Sequence, residues 1–156
     1  MKRKIIFGIV AVVFFLAITA CRDNKQLVNN DVTEKDNISI DSIKENNLMK
    51  LIINGKQYTA NLESNETVER LINMLPLELN MSELNGNEKY IYLNENLPVN
   101  QYNPKEIKVG DIMLYGSNCL VIFYKSFNTS YSYTKIGHID NLPDLGSDSI
   151  YVKIEK

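Results

Sequence analysis

Lys50-Leu51-Ile52-Ile53-Asn54-Gly55-Lys56-Gln57-Tyr58-Thr59-Ala60-Asn61-Leu62 is the stretch whose reading decides the fold. Asn54-Gly55 tolerates positive φ at both central positions of a type I′ turn, the turn whose twist matches two antiparallel strands. The flanking runs therefore read as a β-hairpin, and the folded domain begins near Met49. Downstream, Ser64 or Asn65 can cap a helix in which Val68, Leu71, Ile72 and Leu75 recur at i, i+3, i+4 and i+7, until Pro76 stops it. Beyond the helix the signals are strand and turn. Leu77 to Met81 alternates with period two, Glu88 to Leu93 follows an Asn85-Gly86 turn, and Asp111 to Tyr115 precedes Gly116-Ser117. Cys119 to Lys125, Tyr131 to Ile139 and Ser149 to Glu155 complete the set. Short strands at regular spacing predict a mainly β barrel or sandwich. With one clear helix, a closed barrel plugged at one end is the better reading, because closure removes exposed strand edges.

Toward the N-terminus the character changes. Arg22 to Asn47 is rich in Asn, Asp, Lys and Glu, and its scattered aliphatics build no sustained face. It reads as a disordered tether, the alternative being a short helix from Asp41 to Asn47. At about 5–6 Å times the square root of its length, the tether would hold a domain roughly 25–30 Å from its point of attachment. That point is predicted by Met1-Lys2-Arg3-Lys4, the uncharged run Ile5 to Ala20, and Ile18-Thr19-Ala20-Cys21. A basic start, an apolar run and small residues before a thiol make a secretory signal peptide of the lipoprotein kind. This segment resembles the bacterial lipobox, in which the cysteine receives a diacylglyceryl group and becomes the new N-terminus. An uncleaved transmembrane helix is the competing reading, but a span needs about 20 apolar residues and this run stops short. The expected organisation is a signal peptide over 1–20, a tether over 21–47 carrying lipidated Cys21, and a β-barrel domain over 48–156.

The formal net charge of −2 and the lack of a basic cluster outside the signal argue against nucleic acid as a partner. There are two cysteines, so if Cys21 carries lipid, Cys119 has no partner in the chain and a disulfide framework is excluded. Cys119 precedes Leu120-Val121-Ile122-Phe123, where a thiol serves as a small hydrophobe in the core. The single histidine, His138, lies between Gly137 and Ile139 and reads as a strand or pocket-rim residue rather than half of a catalytic pair. One histidine is too few for a conventional zinc site, and neither a metal nor another cofactor is expected.

Val109-Gly110-Asp111-Ile112-Met113-Leu114-Tyr115-Gly116, Leu120 to Phe127 and Thr129 to Gly137, with Leu75-Pro76-Leu77 and Met81 to Tyr90, resemble the bacterial cyclophilin-like domain family over nearly all of Met49 to Lys156. The resemblance implies a closed eight-stranded β-barrel similar to that of the peptidyl-prolyl isomerases, with no established activity. Isomerases of this fold use a strand arginine beside a Phe-Met-x-Gln-Gly stretch, the arginine weakening amide resonance and so lowering a barrier of about 18–20 kcal/mol. Here the only arginines are Arg3 in the signal, Arg22 in the tether and Arg70 on the predicted helix, and no such stretch occurs. No catalytic residue is carried over.

Tyr124, Phe127, Thr129, Ser130, Tyr131, Ser132 and Tyr133 mix aromatic faces with hydroxyls and form the candidate ligand groove. A half-exposed strand of good β propensity has the same composition. Glu83, Asn85, Asn87, Glu88 and Lys89 read as a solvated turn, and nothing in the sequence pairs Glu78, Glu83 and Glu88 for acid–base chemistry. The expectation is a lipoprotein held to a membrane outside the cytoplasm, in a bacterial cell envelope, displaying a non-catalytic module that binds a peptide or small ligand. The alternatives are an atypical prolyl isomerase or another envelope enzyme, and a scaffold for a second envelope protein.

Overall fold

Asn54 and Gly55 both take positive φ, 46° and 84°, and join β1 (Leu48–Ile53) to β2 (Lys56–Leu62) in the expected hairpin. A computed structural model describes residues 47–156; the expected signal peptide over 1–20, Cys21 and the expected tether up to residue 46 lie outside the described residues. Helix α1 (Glu66–Ile72) follows, with Asn65 as its N-cap, the side-chain oxygen accepting from the Val68 amide at 2.9 Å. Val68 and Leu71 are buried, as the periodicity predicts, but the helix ends at Ile72, with Asn73 as C-cap, so Leu75 lies beyond it.

The remaining strands are β3 (Leu77–Leu84), β4 (Glu88–Tyr92), β5 (Glu106–Ile107), β6 (Asp111–Tyr115), β7 (Cys119–Phe123), β8 (Phe127–Asn128), β9 (Thr134–Ile139) and β10 (Ile150–Glu155). Eight of them close into an antiparallel barrel in the order β1-β10-β3-β4-β7-β6-β9-β2, while β5 and β8 pair separately. Among the described residues, the mainly β, closed eight-stranded barrel with one capping helix is thus observed. Two strand boundaries differ from the sequence reading by more than two residues. The third strand runs on to Leu84, and the strand expected from Tyr131 begins only at Thr134, Tyr133 making a single bridge to Tyr102.

Strand alternation sorts side chains to the two faces of the wall. Leu51, Ile53, Ile112, Leu114, Leu120, Ile122, Val152 and Ile154 belong to one apolar cluster that fills the barrel, and Val68 and Leu71 of α1 join it. The registers put α1 at the end marked by Leu62 and Leu77, and put Lys89 and Tyr124 at the other end, where Leu142 and Leu145 of the β9–β10 loop also pack. Ile107, Met113, Cys119, Val121, Phe123 and Tyr133 form a second cluster on the outer side of β6 and β7.

Two glycines of the Val109–Gly116 and Thr129–Gly137 segments are structural. Gly110 has φ of 93°, and a Cβ there would lie 2.1 Å from the Ile139 carbonyl oxygen; at Gly137 it would lie 2.5 Å from that of Asn61. Next to Gly110, the buried Asp111 carboxylate accepts from the Lys108 amide at 2.9 Å and faces His138 Nδ1 at 3.1 Å. These residues fix a tight turn where strands approach closely.

Candidate functional site: a tyrosine-lined pocket on the barrel wall

The outer face of β4, β7 and β6 builds a pocket rung by rung. Tyr92 pairs with Cys119 and Cys119 with Tyr115; Tyr90 pairs with Val121, and Glu88 with Phe123. Directly opposed residues share a face, so Glu88, Tyr90 and Tyr92 project outward beside Cys119, Val121 and Tyr115. The β8–β9 segment brings Tyr131 and Tyr133 over this surface, and Leu84 and Asn85 close it from the β3–β4 turn. The resulting cavity is about 280 Å³, near the lower end of the roughly 300–1,000 Å³ of small-molecule sites.

Five tyrosines line it. Tyr115 stands edge-on to Tyr131, with centroids 5.9 Å apart, and 5.6 Å from Tyr133; Tyr90 and Tyr92 form a second edge-on pair at 6.0 Å. Tyr133 also packs edge-on against Phe123, which holds the loop ring to the wall. Tyr92 and Tyr131 remain 64% and 60% exposed, so the rim is accessible. Among the described residues, Glu88 is the one charged side chain lining the cavity. Burial, and then the Glu83 carboxylate, push its pKa up. Burial likewise raises the Cys119 thiol, with Glu88 adding to the effect, and raises Tyr133.

This arrangement is suited to binding. A thiol raised by burial beside a carboxylate is held protonated, the opposite of what a nucleophile needs. Cys119 lies across from Tyr115 at one end of β6 while His138 pairs with Asp111 at the other, about 13 Å away at roughly 3.3 Å per residue. Arg70 is on α1, ion-paired with Glu95, and does not line the pocket. Among the described residues no cluster of three or more His, Cys, Asp or Glu side chains could hold a metal ion, and no helix is long and apolar enough to cross a membrane.

Of the groove residues read from the sequence, Tyr131 and Tyr133 come together in this pocket. Thr129 supports them, its Oγ1 accepting from the Tyr131 amide at 3.1 Å. Phe127 packs on Phe123 at 5.6 Å in the cluster beneath, and Ser130 and Ser132 are exposed. Tyr124 does not join them. Alternation along β7 sends Ile122 inward, and Tyr124, just past the end of that strand, lies buried at the end of the barrel, where its hydroxyl donates to Glu83 at 3.3 Å. Cys119 is buried as expected, yet on the outer wall and at the pocket floor.

The solvated turn expected over Glu83 to Lys89 needs correction. Asn85 and Gly86 do turn, with positive φ, but Lys89 is fully buried. Its Nζ donates to the carbonyls of Gly146 and Asp148 at 2.6 and 2.7 Å and lies 4.9 Å from the Tyr124 ring centroid. Glu88, Tyr90, Tyr92 and Tyr115 carry the rest of the pocket. Glu88-x-Tyr90-x-Tyr92 is a period-two signal visible in the sequence, although the pairing that sets it beside Cys119 and Tyr115 is not.

No curated protein and no solved structure matches this chain. A family model described as the cyclophilin-like family matches residues 51–155. That span runs from within β1 to the end of β10 and takes in the whole pocket wall, and the chain therefore belongs to the cyclophilin-like family.

Proposed function

We propose that this chain is a lipid-anchored envelope protein whose cyclophilin-like barrel binds a small ligand or a peptide side chain in the tyrosine-lined pocket. The observation that carries the binding role is the convergence of five tyrosines from β4, β6 and the β8–β9 segment on one cavity, with two of the rings largely exposed at its rim. Tyrosine supplies apolar contact area and a polar tip at little conformational cost, which suits a recognition surface. The anchoring role rests on the Ile18-Thr19-Ala20-Cys21 sequence behind its apolar run. Two acyl chains make a stable anchor where one holds only marginally. The tether then keeps the pocket close to the membrane surface, so ligands are captured outside the cytoplasm.

The full-length chain in a non-ionic detergent, screened by ligand-observed NMR against short peptides and small polar molecules, tests the pocket. Hits are expected to vanish in a Tyr92→Ala/Tyr131→Ala double variant. An empty screen, or hits that survive the double substitution, would refute the reading. Proline-isomerase turnover lost on substitution of Tyr131 or Tyr133 would replace it with an enzymatic one. Incorporation of labelled fatty acid, abolished by Cys21→Ala, tests the anchor.

A further inference from the structure

We infer that the pocket takes an organic ammonium group, held by cation–π contacts with the tyrosine rings and by the Glu88 carboxylate at its wall. The inference rests on the pocket reading above and adds the chemistry of the ligand.

Three observations converge. First, among the described residues Glu88 is the only charged one lining the cavity, and no lysine or arginine forms an ion pair with it. Its sequence neighbour Lys89 cannot serve, because alternation sends that side chain to the opposite face of β4, where it is committed to Gly146 and Asp148. Glu83 pairs in register with Lys89 across β3 and β4, and its carboxylate accepts from the Tyr124 hydroxyl at 3.3 Å. Second, the rest of the lining is dominated by aromatic rings, whose negative faces attract cations, most strongly where water is excluded. Third, Glu88 is near enough to the floor and the loop side of the cavity to raise both the Cys119 thiol and the Tyr133 hydroxyl. An anionic ligand would meet an unscreened carboxylate. A neutral apolar ligand would cover that carboxylate and leave it without a partner, at the cost of its desolvation. A compact cation satisfies both the rings and the acid.

Choline and its neutral carbon isostere, in which a tert-butyl group replaces the trimethylammonium, separate charge from shape. The full-length chain in a non-ionic detergent is titrated with each at constant ionic strength, with tyrosine ring signals followed by NMR. Choline is expected to bind at least about tenfold more tightly than the alcohol. Glu88→Gln, which preserves shape, should bring choline down to the level of the alcohol while leaving the alcohol unchanged. Tyr131→Ala, at an exposed loop position, should weaken choline in a chain whose thermal unfolding is unaltered. Glycerophosphocholine supplies the remaining arm. Binding comparable to choline assigns the ammonium to a lipid headgroup, whereas its exclusion assigns it to a free amine. Equal affinity for choline and the alcohol, or choline affinity unmoved by both substitutions, overturns the inference and leaves the pocket reading standing. If neither probe binds while the screen yields pocket ligands, the ammonium assignment alone falls; if the screen is also empty, both fall.

Discussion

Lys89→Met and Lys89→Ala together dissect the buried lysine at the end of the barrel. In the native chain the ammonium makes two charge-assisted hydrogen bonds to the Gly146 and Asp148 carbonyls and sits over the Tyr124 ring. Hydrogen bonds to charged groups are worth about 1.5–3 kcal/mol each, and a desolvated cation–π contact about 2. Against this stands the desolvation of an ammonium, several kcal/mol, which also lowers the pKa of Lys89 against the opposing pull of Glu83, Asp148 and Asp144. Gly146 and Asp148 are exposed, so their carbonyls can turn to water when the lysine is lost. The net cost of Lys89→Met, which keeps a long apolar stem, is therefore about 2 kcal/mol. Lys89→Ala also removes three methylenes from the core, at about 0.8 kcal/mol each, and should cost about 4–5 kcal/mol in all. Equilibrium urea unfolding measures both. Amide exchange at Gly146, whose N–H donates to Asp144 Oδ1 at 2.8 Å, reports whether the β9–β10 loop has come loose. A Met variant as stable as the native chain, with unchanged exchange at Gly146, would refute the claim that the ammonium pins this loop. Ala and Met variants of equal stability would refute the packing of the stem.

Gly110→Ala and Gly55→Ala share a positive φ but differ in surroundings: a Cβ at Gly110 meets the Ile139 carbonyl oxygen, and at Gly55 it meets nothing within 4 Å. The first is expected to unfold the barrel or cost more than about 3 kcal/mol, the second only about 1 kcal/mol, and similar urea midpoints for the two would contradict the close-approach argument. Asn65→Ala removes the cap to Val68 and the bond from Asn65 Nδ2 to the Lys135 carbonyl at 2.9 Å, for a loss of about 1–2 kcal/mol in the same assay. Glu88→Gln tests the cost of the half-buried carboxylate through pH. Because burial and Glu83 raise its folded pKa above the ordinary 4.5, the folded state binds this proton more tightly than the unfolded chain does. Its favourable contribution is fully present below that ordinary value and is lost as pH rises through the folded value. The Gln variant should thus have the higher melting temperature near neutrality, with the gap closing on acidification; a gap independent of pH would show that the carboxylate is not desolvated.

The local elements were legible because their causes are local. Asn54-Gly55 dictates a turn through φ alone, Asn65 caps α1 through its own side chain, and Asp111 to Tyr115 reads as a strand to the residue. The two-residue strands β5 and β8 were not legible, since two residues carry no periodicity. Tyr124 shows a reading that composition misdirects. It has the chemistry of Tyr131 and Tyr133, but it follows Phe123, the last residue of β7, and so belongs to the other face of the wall.

The sequence by itself determined the turns, the helix cap and the alternation of faces along each strand, because each depends on residues within a few positions of one another. Only the tertiary structure decided what those faces meet. The pairing of β4 with β7 and β7 with β6 sets Tyr92, Cys119 and Tyr115 in one row, and the β8–β9 segment lays Tyr131 and Tyr133 across it. Glu88 and Lys89, adjacent in the chain, were given opposite fates by one step of the pleat. One lines a pocket that no cation among the described residues lines with it, and the other is buried against carbonyls more than fifty residues away. Burial and charge pairing are set by such distant partners, and no local pattern encodes them.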